Sequence, residues 1–164
     1  MNAERRKPLT EEEVVSNMKA WQEAYESGSP KFFDFFDHSV SLFTLSSPTR
    51  VDGRDVYRRG FEQFFLNTKR NSQILSPEVR LLGEDAAMMT FHNRILSGNV
   101  ATNIRGSVVF IRDNAGALKC VHMHNSPLGQ PTALPTFADA ASAMNISVLE
   151  ERVASASAMT GTPK

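Results

Sequence analysis

The chain has 164 residues, of which 41% are hydrophobic and 22% are charged, a balance typical of one globular domain with a substantial core. Eighteen basic residues offset eighteen acidic ones, so no basic field is available to hold nucleic acid or an anionic membrane surface. The single Cys120 excludes an internal disulfide, and the opening MNAERRKPLTEEE has no apolar run of the kind found in signal peptides. We therefore expect a cytoplasmic protein without nucleic-acid or membrane partners.

Three helices are predicted in the N-terminal part of the chain. Thr10 and Glu13 have the spacing of a capping box, in which each side chain satisfies a free backbone N–H of the other residue. The first helix therefore begins there, and Ser27–Pro30 ends it. A second, short helix carries four phenylalanines in five residues, which are expected to seal one end of the core. Gly53 precedes a third helix, within which Gly60 indicates close approach of a neighbouring backbone.

Strand patterns follow these helices. An early hairpin is predicted from residues 40–45 and 49–52. Four longer strands are predicted at residues 73–82, 86–96, 100–112 and 117–126. The turns between the four are short, and such turns join antiparallel neighbours. Pro77 cannot donate to a strand ladder, so we expect a bulge or a sheet edge at this residue.

The order of these elements predicts an α+β fold. Long strands bend rather than stay flat, so we expect a cone-shaped, curved antiparallel sheet wrapped around the N-terminal helices. This domain spans residues 9–127. Residues 128–164 are predicted to form a linker, a C-terminal helix with apolar positions from Phe137 to Val153, and a tail.

The middle strands are apolar on both faces, as the consecutive residues Val108–Ile111 and Ala86–Met89 illustrate. The helices can cover only the concave face of the sheet. A second copy of the same sheet is the simplest cover for the convex face, so we expect a homodimer or a larger ring. The alternative is that the C-terminal segment folds back over this face.

Val121–Ser126 alternates strictly along the last strand. Val121, Met123 and Asn125 are therefore predicted to share the concave face, while His122 and His124 face outward. Two imidazoles on one strand face can share a metal ion, and His92 has the same outward parity. The alternative, a structural role on the outer wall, is favoured because no carboxylate partner is evident. We expect neither a metal nor a cofactor.

A ligand site is predicted inside the cone. Tyr57 and Phe61 lie one helical turn apart and are expected to face the inner wall of the sheet. Converging polar groups in an apolar cavity are the usual sign of such a site, whereas plain core packing is the alternative for its apolar members. The candidate residues on the inner wall and the rim are Phe91, Asn93, Met123, Asn125, Trp21 and Tyr25.

Three blocks of sequence resemble the association (hub) domain of calcium/calmodulin-dependent protein kinase II. They are Val51–Asp55 leading to Tyr57 and Phe61, then Ile74–Ala87, and finally Val121–Ser126. The resemblance covers roughly residues 11–127, with the blocks in the same order and at compatible spacing. It implies the nuclear transport factor 2-like, or SnoaL-like, cone fold and a stand-alone relative of the kind found in bacteria. That fold hosts assembly modules, ligand-binding proteins and enzymes, so function has to be argued from the pocket.

The resemblance also implies which residues stand at the functional positions of relatives. The pocket arginines of the hub family correspond to Asn93, Val108 and Asn125, and none of these residues carries an arginine's charge. A bound molecule is therefore expected to be neutral or weakly polar. In the steroid isomerases of this fold, a carboxylate on the first strand and a phenol on the first helix correspond to Phe43 and Trp21. Proton shuttling by that route lacks its base.

Together these features predict a homo-oligomeric cone-fold protein that binds a small, mostly apolar, neutral molecule in its cavity. Whether it is an enzyme is left open. An isomerase- or dehydratase-like enzyme would use Tyr57 as its candidate catalytic residue, donating a hydrogen bond, with Asn93 and Asn125 orienting a carbonyl. The alternative is an assembly module like the kinase hub, with a cavity filled by its own side chains.

Overall fold

The computed structural model describes residues 7–66 and 68–128. The predicted linker beyond Leu128, the C-terminal helix and the tail lie outside the described residues. The predicted domain boundary therefore stays a prediction.

The N-terminal helices form where the capping and helix-ending residues predicted them. Helix α1 spans Glu11–Glu26 and helix α2 spans Arg54–Phe65, with a 3₁₀ helix at Pro30–Phe35 between them. The Thr10 hydroxyl accepts a hydrogen bond from the Glu13 backbone N–H at 3.3 Å, and the Glu13 carboxylate accepts one from the Thr10 N–H at 2.9 Å. This confirms the predicted capping box. The prediction for Gly60 was wrong, because outside the backbone of its own helix a Cβ on this residue would meet no atom of the described residues within 4 Å.

The strands form one curved, unclosed six-stranded sheet, in the order β2-β1-β6-β5-β4-β3. Strand β1 runs parallel to β6, and every other neighbouring pair is antiparallel. The parallel pairing is a long-range contact that the turn signals did not indicate. The strands are β1 (Phe36–Phe43), β2 (Val51–Asp52), β3 (Asn71–Leu81), β4 (Ala86–Ser97), β5 (Val100–Arg112) and β6 (Leu118–Pro127).

One bulge interrupts the ladder at each end of the antiparallel meander β3–β6. The register of β3 against β4 shifts between Leu75 and Glu78, so Pro77 lies in a bulge on an edge strand, as predicted. The register of β5 against β6 shifts because Phe110 pairs with Cys120 and Val109 with His122. The residue between the two, Val121, is left over, and the strict alternation predicted for this strand begins only at His122. Cys120 is fully buried and takes the concave-face position that was predicted for Val121.

The core lies between the concave face of the sheet and the helices. Aromatic side chains close its narrow end: the Trp21 ring meets Phe36 edge-on at a centroid distance of 5.0 Å, and Phe32 stacks on Phe65 at 4.6 Å. This packing of aromatic rings agrees with the prediction that the phenylalanines of the second helix seal one end of the core.

The convex face carries the two histidines of the last strand. Nδ1 of His122 lies 2.8 Å from the Ser41 hydroxyl across the parallel pairing of β1 and β6. The Phe43 ring lies beside His124 at a centroid distance of 5.2 Å and is 40% exposed. Both histidines therefore make contacts with β1 on the convex face. Across residues 7–66 and 68–128, no helix is long and apolar enough to cross a membrane.

Candidate functional site

A cavity of about 160 Å³ lies between the concave face of the sheet and helices α1 and α2. The loop after β1 completes its wall with Thr44, Leu45 and Ser46. The structure brings eight of the nine predicted ligand-binding residues together here: Trp21, Tyr25, Tyr57, Phe61, Phe91, Asn93, Met123 and Asn125. Sequence reasoning missed Met18, Gln22, Phe32, Ser72, Ile74, Ile95 and Ile104, which also line the cavity.

Val108 and Phe43 lie outside the cavity. Val108 faces inward on β5 opposite Met123, but it is fully buried in the core and does not reach the cavity wall. Phe43 points to the convex face beside His124, so it does not stand where the resemblance placed a catalytic carboxylate. Of the described residues that line the cavity, none is Asp, Glu, His, Lys or Arg. Among them, no group has the ordinary pKa range of a general base at neutral pH.

Tyr57 is the most enclosed polar side chain of α2. It is 8% exposed, with its ring stacked on Phe61 at 5.3 Å and edge-on to Phe36 at 5.3 Å. Burial raises the pKa of Tyr57 far above its usual value, since the phenolate would be desolvated. The hydroxyl therefore stays protonated and can donate a hydrogen bond. It makes none to the residues that the structure describes.

Asn93 is held by a hydrogen bond from Ser72, the second residue of β3. The Ser72 hydroxyl donates to Asn93 Oδ1 at 3.0 Å, and both side chains are buried. Ser72 is itself fixed by α1, because its backbone N–H donates to the Glu26 carboxylate at 2.6 Å and its carbonyl accepts from the Gln22 side chain. The orientation of the Asn93 amide is thus set by Ser72, a serine near the start of a strand that no sequence motif distinguishes.

Asn125 lies on β6 and, like Asn93, lines the cavity. Its Nδ2 donates only to the Met123 sulfur at 3.4 Å, a weak acceptor, and its Oδ1 is buried without a partner among the described residues. The backbone of Gly106 on β5 makes room for this oxygen. Buried amide atoms are nearly always paired, so an unpaired one beside a cavity points to a missing partner.

The cation nearest this aromatic wall is Arg70, just before β3. Its guanidinium lies 5.1 Å from the centre of the Tyr25 ring and donates to the carbonyls of Phe64, Phe65 and Thr68 at the end of α2. Burial raises the pKa of Tyr25, and the Arg70 charge partly opposes that rise. Arg70 does not line the cavity, so its charge stabilises the end of a helix instead of a bound anion.

A metal site finds no support in the described part of the chain, where no group of three or more His, Cys, Asp or Glu side chains is placed to hold an ion. The pair His122 and His124 lies on the convex face, where His122 contacts Ser41 and His124 contacts Phe43.

Comparison with protein families identifies the chain. The sequence profile of the calcium/calmodulin dependent protein kinase II association domain matches residues 10–129. The chain belongs to this family. The matched residues include every described helix and strand. Comparison with curated protein sequences gives no match.

Solved structures with the same fold come from different kinds of protein. The association domain of the Caenorhabditis elegans kinase is 21% identical, with a TM-score of 0.60 over 70% of this chain and 93% of that one. A protein assigned to the association domain family from Xanthomonas campestris is 21% identical, with a TM-score of 0.65 over 81% and 100%. A protein assigned as a dehydratase of the nuclear transport factor 2-like family from Streptomyces avermitilis is 24% identical, with a TM-score of 0.62 over 71% and 94%. These similarities establish the fold of the association domain.

Proposed function

We propose that this association domain binds a small, neutral, mostly apolar molecule in its cavity and that it does so as a homo-oligomer. The observation that carries the proposal is the convergence of three hydrogen-bonding side chains, Tyr57, Asn93 and Asn125, on a mostly apolar cavity wall. Asn125 bonds to the described residues only through a weak hydrogen bond from its Nδ2 to the Met123 sulfur at 3.4 Å, and its Oδ1 has no partner among them. A bound molecule that accepts hydrogen bonds would find donors in the Tyr57 hydroxyl and in the two amide groups.

The size and charge of the cavity limit the ligand. A volume of about 160 Å³ is close to that of an engineered cavity of about 150 Å³ known to bind benzene, so a single ring is the natural occupant. Carboxylates are disfavoured because the described lining residues include no cation. We expect ligands of one ring and no formal charge.

Titration of neutral and anionic single-ring compounds tests the proposal. The methyl groups of Ile74, Ile95 and Ile104 line the cavity and report on its contents by NMR. Cyclohexanone is expected to shift these signals in a saturable manner, whereas cyclohexanecarboxylate of the same ring size is not. The proposal fails if neither compound shifts them, or if the carboxylate binds more tightly.

If the protein is an enzyme, an isomerase- or dehydratase-like reaction fits the groups available. Tyr57 would donate a hydrogen bond to a carbonyl oxygen, and the amides of Asn93 and Asn125 would orient it. The structural similarity to a protein assigned as a dehydratase is compatible with such a role. Proton abstraction would have to come from a group on the substrate or from water, because the described lining residues include no carboxylate or imidazole.

An assembly module without ligand chemistry is the alternative, and the convex face supports the self-association that both readings require. Phe43 is 40% and Ile111 36% exposed on this face, flanked by the half-buried Val109 and Met88. Large apolar side chains on one sheet face are typical of an interface. Light scattering on the purified protein gives the number of subunits, and the NMR titration gives probe binding. A ring of many subunits whose cavity takes up no probe would favour assembly. A dimer with saturable binding would favour the ligand role.

A further inference from the structure

We infer that the cavity selects single-ring molecules that accept hydrogen bonds, such as cyclic ketones, over molecules that only donate them. The selecting device is the hydrogen bond from Ser72 to Asn93, which turns the N–H groups of the amide toward the cavity. This inference rests on the proposed function, because it concerns what the same cavity binds.

Ser72 is well placed to fix the amide because α1 anchors its backbone on both sides. Its N–H donates to the Glu26 carboxylate at 2.6 Å, and its carbonyl accepts a hydrogen bond from the Gln22 side chain. Its hydroxyl is then left to donate to Asn93 Oδ1 at 3.0 Å. Ser72 is only 6% exposed, so water cannot readily replace that acceptor.

The orientation of the Asn93 amide follows from this arrangement. Because its oxygen accepts from Ser72, its Nδ2 group finds no acceptor among the described residues and is free to donate into the cavity. Rotation of the amide by half a turn would place Nδ2 against the hydroxyl and remove the acceptor of the buried Ser72 O–H. A buried donor without an acceptor is destabilising, so the observed orientation is favoured.

Two further donors surround the same space. The Tyr57 hydroxyl stays protonated because burial disfavours its phenolate. Nδ2 of Asn125 has only the Met123 sulfur as an acceptor, at 3.4 Å, while Oδ1 of the same amide is buried beside Gly106. Tyr57, Asn93 and Asn125 each therefore offer a donor to a ligand. A carbonyl oxygen, with two lone pairs, matches such a set.

Three small probes separate the contributions of accepted hydrogen bonds, donated hydrogen bonds and apolar contact to binding by the wild-type protein. Cyclopentanone accepts hydrogen bonds, pyrrole is a ring of the same size that donates through its N–H, and benzene does neither. We expect cyclopentanone to bind about tenfold more tightly than pyrrole, which corresponds to about 1.4 kcal/mol or one to two neutral hydrogen bonds. Dissociation constants are read from the methyl signals of Ile74, Ile95 and Ile104.

Ser72→Ala tests the positioning role. Without the hydroxyl the Asn93 amide can rotate, so the preference for cyclopentanone over pyrrole should fall to about threefold or less. Ser16→Ala, the same change on the exposed side of α1, serves as the control and should keep the full preference. Asn93→Leu, which removes both amide donors at similar size, should also reduce the preference.

The outcomes separate this inference from the proposed function. Equal or tighter binding of pyrrole in the wild-type protein overturns the selectivity but leaves a ligand-binding cavity. A Ser72→Ala variant that keeps the full preference overturns the role of Ser72. If none of the three probes binds, the cavity is not a ligand site and both proposals fail.

Discussion

Gly106 on β5 lies directly opposite Asn125 on β6, and a Cβ on Gly106 would fall 2.7 Å from Asn125 Oδ1. The same Cβ would lie 2.7 Å from Cζ of Phe91, one strand away. Real Cβ atoms do not approach other atoms this closely. The glycine is therefore what allows an amide and an aromatic ring to meet on this part of the cavity wall.

Gly106→Ala is expected to destabilise the protein and to disturb the cavity. Relief of the contact must move Asn125 or the Phe91 ring, and overpacking of this kind costs about 1–3 kcal/mol. Gly60→Ala is the matched control: the added methyl group has open space in mid-helix, so it should stabilise by about 0.5–1 kcal/mol. Urea denaturation measures both. Equal stabilities of Gly106→Ala and the wild-type protein would contradict the close packing seen here.

Tyr57→Phe separates ligand binding from stability. Since the hydroxyl bonds to no described residue, its removal should change the free energy of unfolding by less than about 0.5 kcal/mol. A carbonyl ligand should lose one hydrogen bond, so its affinity is expected to fall about fivefold, for roughly 1 kcal/mol. Any turnover should fall as well. Calorimetric titration with cyclohexanone gives the affinity, and an unchanged affinity would remove Tyr57 from the site.

The faces of the sheet could be predicted from the sequence because side chains alternate along a strand. Alternation placed Met123 and Asn125 inward and His122 and His124 outward, and the structure agrees. It failed at Val121, since a bulge adds one residue and shifts the parity of everything on one side of it. Local sequence gives no clear signal for such a bulge in a run of ordinary strand formers.

Only some of the polar residues that line the cavity could be predicted from the sequence. Tyr57, Asn93 and Asn125 follow from helix and strand parity. Ser72 and Gln22 do not, because their roles depend on how α1 crosses the start of β3, a contact between residues 50 positions apart. The position of Phe43 was also misjudged, since the inward residue next to it on β1 is Leu42, which is fully buried.

Phe43→Glu is expected to disrupt self-association if the convex face forms the interface. A charge at position 43, beside His122 and His124, would have to lose its water in a packed interface, at a cost of several kcal/mol. Phe64→Glu is the control, because Phe64 is 65% exposed on α2 and away from this face. Light scattering gives the molar mass of each variant. Loss of assembly in both variants, or in neither, would argue against the convex face.

His92 should make the protein less stable as the pH falls. It lies on β4 opposite Arg105 of β5, and burial, together with the Arg105 charge, lowers its pKa below the ordinary value of 6.5. Its Nδ1 is buried without a partner among the described residues. The unfolded state therefore binds the proton more readily, so stability is lost as the pH falls through about 6.5 toward the lower folded pKa. In His92→Gln the decline in the urea midpoint between about pH 7.5 and 5.5 should be shallower. Identical slopes in the two proteins would contradict this assignment.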